Sequence, residues 1–484
     1  MSPLPPTASN VDESPGDFIT TAQFLSVFIA VAFPMFMSGI DQTLLATATP
    51  TIALELGDLQ DASWIAVAYL LATVVIVPVY GRLGDAYGRR RVMIISLSVF
   101  TLGALLCSVA QSLPQLVAGR VVQGLGGGGL VTLAQSLIGE IAPPRQRFRF
   151  QVYITATFTS ASFSGPIIGG LLVTHFHWRA LFLIYLPMAA FAFWRLSKLP
   201  VGARHPEQVK NLDLGGIALF ALASASALYW LTSAGHHFAW DSGTSVALLI
   251  LAAAFFTWLV HQQGSHPSPF LAVDLLRDKA MLHLMIATAL FSASMFALIF
   301  FLPIYLQLGH RLSAWDSGLL LLPLTTGTVI GSIFAGKFAA RTGETKITLV
   351  AGLCLGTVAL ALLGLMPADT TTVAVLGLFA GACFGGVMPV SQVVSQAIAG
   401  RARLGVAGAL VTIFRFVGGA AGTAMTGALV YALLPGMDLR ALILVADAAQ
   451  IEAVIGAFHI AFLFAAGLTA MAAIVAVGMP RVKI

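Results

Sequence analysis

The sequence predicts an all-α integral membrane protein, a bundle of fourteen transmembrane helices with both termini in the cytoplasm. Three observations predict it. The chain is 58% hydrophobic and only 9% charged, whereas a soluble domain carries about 25% charged residues. Its apolar runs are close to the ~20 residues that a helix needs to cross ~30 Å of hydrocarbon. Its basic residues fall on alternate loops, as they do when those loops are cytoplasmic. A soluble chain this apolar would lack polar surface to cover itself, so lipid is its solvent. The 47 glycines fit, because small residues let helices approach closely where no hydrophobic force drives them together.

The elements follow in order. Residues 1–21 are polar, with Asp12, Glu13 and Asp17 and no Lys or Arg. That is the wrong charge for a secretory leader, and the apolar run behind it is too long for one. The segment reads as a disordered cytoplasmic tail. Spans 1–6 are expected at 22–46, 62–80, 92–112, 114–140, 150–173 and 180–197. Spans 7 and 8, at 214–233 and 245–262, lie in a 198–280 linker as an inserted hairpin; His261, Gln262 and Gln263 crowd the end of span 8. Spans 9–14 are expected at 281–307, 316–336, 347–366, 372–398, 404–433 and 454–478. Residues 22–197 and 281–484 then make two six-helix bundles.

Charge tests the count independently. With residue 1 inside, the outer loops hold only Arg179, Arg311 and Arg440, while Arg120 and Arg415 lie within spans. The rest of the 25 basic residues are inside, including Arg82, Arg89, Arg90 and Arg91, then Arg145, Arg147 and Arg149. One missed span would invert every later loop and spoil that bias. The pI near 9.2 is therefore topological and gives no reason to expect a nucleic-acid partner. Cys107, Cys354 and Cys383 lie inside apolar runs, which excludes a disulfide framework and a zinc site. The outer-loop pairs His175/His177 and His236/His237 lack Cys or acidic neighbours at metal-ligand spacing, so they read as solvent-facing.

A weak repeat relates the halves. Gly81-Arg-Leu-Gly-Asp85-Ala-Tyr-Gly88-Arg89-Arg90-Arg91 follows span 2, and Gly336-Lys-Phe-Ala-Ala340-Arg-Thr-Gly343-Glu-Thr-Lys346 follows span 10. The glycine spacing is kept while the acid becomes Ala340. Repeated halves around a midplane site are a common plan for secondary transporters.

Four motifs then make the chain resemble the major facilitator superfamily, and within it the fourteen-span drug:proton antiporter branch. They are Gly81 to Arg91, Asp41-Gln-Thr43-Leu-Leu-Ala-Thr-Ala48-Thr-Pro50 in span 1, Leu116-Val-Ala-Gly-Arg120-Val-Val-Gln123-Gly124-Leu-Gly126 in span 4, and Ser164-Gly165-Pro166-Ile-Ile-Gly169-Gly170 in span 5. Trp178-Arg179, with Phe182 and Pro187, resembles the start of span 6 in that branch. Ala161, four residues before Gly165, departs mildly from the motif.

The residues support this reading on their own account. A carboxylate within a span is costly and marks a functional hypothesis by default, which singles out Asp41. Counting 1.5 Å per residue puts Asp41 roughly 27 Å beyond Gln23, and Arg120 about 9 Å below Pro114 on the inward-running span 4. The two fall at similar depth and would pair if spans 1 and 4 are neighbours. A structural ion pair, or for Asp41 an interfacial cap, is the alternative; the resemblance implies proton coupling. Gly81, Gly84 and Gly88 permit a tight turn, and Asp85 suits a helix N-terminus in the other half. The resemblance therefore implies a conformational latch of Gly81, Asp85, Gly88, Arg89 and Arg90. Gly165, Pro166, Gly169 and Gly170 are expected to kink or thin span 5. Gly126 to Gly129 lack the setting of a phosphate loop and read as a packing surface. Thr43, Gln123, Arg415 and His459 are candidate pathway-lining residues, with hydrogen-bonded packing favoured for His459.

The function expected is proton-driven export of hydrophobic or cationic small molecules by alternating access from the inner membrane. A narrower exporter of an amino acid, siderophore or metabolite would use the same scaffold. A membrane-embedded enzyme or sensor is disfavoured, because no nucleophile cluster, metal-ligand set or soluble domain is present. No cofactor is expected, the proton gradient being the energy source. The partners expected are a small-molecule substrate, protons, the lipid bilayer and, as a candidate, a periplasmic adaptor protein.

Overall fold

The computed structural model describes residues 21–56, 62–141, 144–199, 213–234, 237–266, 273–366, 369–399, 404–434 and 448–480. The tail 1–20, most of the 198–212 linker, His236 and the last four residues lie outside them. The described chain is helical throughout, apart from an isolated bridge between Ala234 and Phe238. The first bundle comprises α1 (Thr21–Leu56), α2 (Ser63–Tyr87), α3 (Arg89–Ser108), α4 (Leu113–Ile141), α5 (Pro144–His175), and span 6 as α6 (Ala180–Leu183) and α7 (Tyr185–Ser197). The inserted hairpin is α8 (Leu214–Ser233) and α9 (Gly243–Ser265), followed by the short α10 (Val273–Leu276). The second bundle has α11 (Lys279–Gly309), span 10 as α12 (Ala314–Leu319) and α13 (Leu322–Thr342), and α14 (Thr345–Leu365). It ends with span 12 as α15 (Thr370–Gly385) and α16 (Val387–Ala399), then α17 (Leu404–Leu433) and α18 (Ala448–Gly478).

Among the described residues 13 helical segments are long and apolar enough to cross a membrane. The 25-residue α2, with its apolar stretch Ser63–Val77, supplies the remaining one of the fourteen expected spans. Span 1 differs from expectation. It does not stop near residue 46; α1 runs 36 residues from Thr21 to Leu56, with Pro34 and Pro50 inside it. The polar run that hides this continuation folds its hydroxyls back on the helix. Thr47 Oγ1 donates to Leu44 O at 3.2 Å and Thr49 Oγ1 to Leu45 O at 2.9 Å, so each hydroxyl is satisfied without water.

Two apolar cores mirror the two halves. One gathers Phe24, Tyr69, Phe100, Leu133 and Tyr185, and the other Met281, Phe291, Leu353, Phe384 and Phe458. α17 straddles them: Phe416, Ala420 and Ala424 belong to the first core, Leu410 and Val430 to the second. The expected packing surface at Gly126 to Gly129 lies along α4, where any Cβ at Gly126 would overlap the backbone of Phe100. Glutamine crowding at the end of span 8 also has a cause. Asp213 caps α8 by accepting from Gly216 N at 2.7 Å, and it accepts from Gln262 Nε2 at 3.1 Å and from Gln263 Nε2. The hairpin is thus clamped at its base, and α8 packs against both α2 and α17, which themselves meet across the halves.

The repeat is visible in the backbone. Gly88 (φ 90°) ends α2 and Gly343 (φ 69°) ends α13; they are the two positive-φ glycines among the described residues. Glycine adopts this conformation without a Cβ penalty. Gly81 and Gly84, expected to share the turn, lie inside α2 instead, where Gly84 admits the side chain of Leu133 from α4.

Candidate functional site

Asp41 and Arg120 meet in the middle of the first bundle. Both are 1% exposed. Arg120 Nη1 donates to Asp41 Oδ1 at 2.9 Å and stands 2.8 Å from Oδ2. Oδ1 also accepts from Gln123 Nε2 at 3.0 Å and from the Tyr185 hydroxyl at 3.0 Å. Oδ2 has the charge contact but no hydrogen-bond geometry to any donor. The arginine is held from other sides too. Its Nε donates to Ile65 O at 2.9 Å, its Nη1 to Gln123 Oε1 at 2.8 Å, and its Cζ lies 4.3 Å from the centre of the Tyr69 ring.

This arrangement follows from the cost of burying charge. Each ion costs several kcal/mol to dehydrate, and the attraction offsets that only when further hydrogen bonds satisfy the remaining atoms. Spans 1, 2, 4 and 6 each supply one part of that satisfaction. The depths counted from the sequence placed Asp41 and Arg120 level, and the structure joins them. Sequence reasoning missed Tyr69 and Tyr185. Their signal was a phenol inside an apolar run, which needs a partner for its hydroxyl, although nothing local names the partner. Thr43, two residues beyond Asp41, is buried against Gly165 with its hydroxyl donating to Ile40 O at 3.2 Å.

The span 5 motif forms a seam. Gly165 faces Thr43, and Gly169 faces Leu44 O and Thr47, both on α1. Gly170 admits the backbone of Ala314 and Trp315 from the second half, while Gly318 of α12 admits Pro166 O. Gln307 Nε2 adds a bond across the halves to Thr47 O at 3.0 Å, and another to Ser317 Oγ at 3.0 Å. These contacts lie at the end of the bundle opposite the arginine-rich loops. A clasp stands at the same end. Glu55, at the tip of α1, accepts from Arg179 Nη1 at 2.7 Å and Trp178 Nε1 at 2.9 Å, with His177 Nε2 at 3.2 Å. Partial burial pushes the Glu55 carboxyl up, but the bonds from Arg179 and Trp178 and the neighbouring charges hold it below its ordinary 4.5.

At the opposite end, Arg89 and Arg90 of the expected latch each bond to a carbonyl of the first half. Arg89 Nη1 donates to Ser136 O at 2.6 Å, and Arg90 Nη2 to Ser197 O at 2.8 Å. The Asp85 side chain lies outside the described residues. Arg415 and His459 are not joined to the Asp41 cluster. The Arg415 guanidinium lies 4.4 Å from the centre of the Phe416 ring, and its Nε has no hydrogen-bond partner. The His459 ring stands 6.2 Å from Tyr305, and its Nε2 is likewise unpartnered. No group of three metal-ligating side chains occurs among the described residues.

A two-bundle helical membrane protein with repeated halves and a buried ion pair is built as a secondary transporter is built. The chain belongs to the Major Facilitator Superfamily, whose family model matches residues 31–423. It is 31% identical over 400 residues to the multidrug transporter protein MdtP of Bacillus subtilis, covering 82% of this chain and 74% of that one. It is 34% identical over 431 residues to an MFS-type transporter of Mycobacterium tuberculosis, covering 88% of this chain but only 62% of that relative's length. Among solved structures, a bacterial homologue of the lysosomal transporter Spinster, inward-facing and occupied, superposes with a TM-score of 0.64 at 16% identity. That match covers 95% of this chain and 97% of the other, and it shows the shared fold.

Proposed function

We propose that the chain exports hydrophobic small molecules from the cytoplasm in exchange for protons, by alternating access in the cytoplasmic membrane. The observation that carries this reading is Asp41, a fully buried carboxylate whose Oδ2 lacks a hydrogen-bond donor beside a fixed arginine. Protonation at Oδ2 removes the anion to which Arg120, Gln123 and Tyr185 are all directed. The guanidinium is then a buried cation without a counter-charge, a costly state that favours rearrangement of spans 1 and 4. Thr43 and Thr47, on the helix that carries Asp41, line the seam with span 5, so a shift of span 1 acts directly on the contact between the halves. Relatives named as multidrug transporters and efflux pumps support export as the direction.

The test is an imposed pH gradient in inverted vesicles containing the full chain. Addition of a transported compound should collapse the gradient with the native protein and fail to do so with Asp41→Asn. Unchanged collapse with that variant would remove Asp41 from the coupling.

A further inference from the structure

Away from the ends of the spans, three side chains of the Asp, Glu, Lys and Arg types lie within the membrane: Asp41, Arg120 and Arg415. The first two neutralise each other at 2.8 Å. Arg415 therefore leaves the interior with one uncompensated positive charge. It lies eleven residues after Leu404, about 16 Å along α17, near the middle of a ~30 Å hydrocarbon layer. Such a charge is rare within a bilayer and faces a cavity or a partner, yet among the described residues its Nε has no hydrogen-bond partner and its ring contact is to its own neighbour Phe416.

The surroundings point to a ligand in place of a protein partner. One face of α17 is taken by α11, where Gly418 admits Ala289. Another is taken by the first half, whose core includes Phe416 and Ala420. The guanidinium stacks toward Phe416, on the side between the α11 contact and the first half. About two turns nearer the basic loops Gly408 faces Gln392 of α16, so Arg415 sits between the levels of these two contacts. Beside Gln392 stands Ser391, and beside Ala289 stands Thr288. Both are buried, and both hydroxyl oxygens lack any hydrogen-bond partner. An unpaired midspan guanidinium, on a helix packed against two helices that carry buried unsatisfied hydroxyls, in a fold whose halves separate during turnover, suits an oxyanion.

We propose that Arg415 is the counter-ion for the substrate, and that this transporter accepts amphipathic carboxylates or similar organic anions in preference to cations. This rests on the export reading above and deepens it, replacing the cationic substrates that the sequence resemblance implies. A carboxylate would take charge-assisted bonds from Arg415, with its apolar body against the Phe296 and Phe416 rings, whose centres lie 6.2 Å apart.

The experiment is equilibrium fluorescence titration of the purified full chain in nanodiscs. Three probes share one apolar body: dansylaminoundecanoic acid, its methyl ester, and the matching trimethylammonium compound. The native protein should bind the acid roughly tenfold to a hundredfold more tightly than the ester, the range of a charge-assisted hydrogen bond, and the cation most weakly. Arg415→Gln should abolish that preference, and Arg415→Lys should retain part of it. Unfolding of Arg415→Gln in the same nanodiscs, at or above the native midpoint, shows that the lost preference is not a folding defect. Equal binding of acid and ester by the native protein, or a preference that survives Arg415→Gln, overturns the proposal. No gradient is present in this assay, so its outcome is independent of whether Asp41 couples protons.

Discussion

Arg120→Met tests the buried ion pair most severely. The substitution keeps an unbranched side chain of similar length but removes the Nη1 contacts to both oxygens of Asp41, and the bonds to Gln123 and Ile65 O. Asp41 keeps only the donors Gln123 and Tyr185, too few for a carboxylate that is 1% exposed. Removing one member of a buried pair typically costs about 3–5 kcal/mol, because the other charge is left uncompensated. Asp41→Asn/Arg120→Met removes the charge altogether while an amide still accepts from Tyr185, and should recover most of that loss. The assay is reversible unfolding in mixed micelles, comparing the native chain, both single variants and the double variant. A double-mutant cycle with a coupling of several kcal/mol is expected. A loss below about 1 kcal/mol for Arg120→Met, the scale of a solvated surface pair, would refute the claim that this site is dry and tightly paired.

Four further outcomes follow from the geometry. Tyr185→Phe removes one of three donors to Asp41 Oδ1 and should destabilise the chain by roughly 1–3 kcal/mol, measured by the same unfolding. Gly170→Leu places a side chain on the backbone of Ala314 and Trp315, so it should prevent closure of the seam and increase labelling of a cysteine placed at Ser317 in an otherwise cysteine-free chain. Gly88→Ala forces a Cβ into the positive-φ turn and should cost on the order of 1 kcal/mol, with Gly88→Asn milder. The Glu55 clasp should respond to pH. Because the folded carboxyl is held below 4.5, its contribution is present above the unfolded value and is lost as pH falls through the folded one. Trp178 fluorescence should report that loss at low pH and stay flat in Glu55→Gln.

The architecture was legible because two physical constraints act on it independently. Bilayer thickness sets the length of each apolar run, and positive charge marks alternate loops. The Asp41–Arg120 pair was legible for a similar reason: rise per residue fixes depth from either end of a span. What escaped was anything decided by the direction a helix faces. Tyr69 and Tyr185 are two of eight tyrosines, and only packing aims them at the ion pair. The extension of α1 to Leu56 was hidden by threonines and Pro50, which look like a loop until the hydroxyls are seen bonding back along the helix. The span 5 motif was read as a kink or a thin stretch. Its glycines in fact admit α1 on one side and α12 of the other half on the second, a role that required knowing which helices meet. Gly81 and Gly84 show the converse error, since spacing alone suggested a turn where only Gly88 makes one.

The central claim is that proton release at Asp41 is tied to substrate binding. Its most direct test is proton release by the purified native chain in lightly buffered detergent solution, read with a pH indicator as transported compound is added. Release that saturates with the compound, and is absent in Asp41→Asn while binding persists, is the predicted result. Release of equal size from Asp41→Asn, or none from the native chain despite binding, would contradict the account.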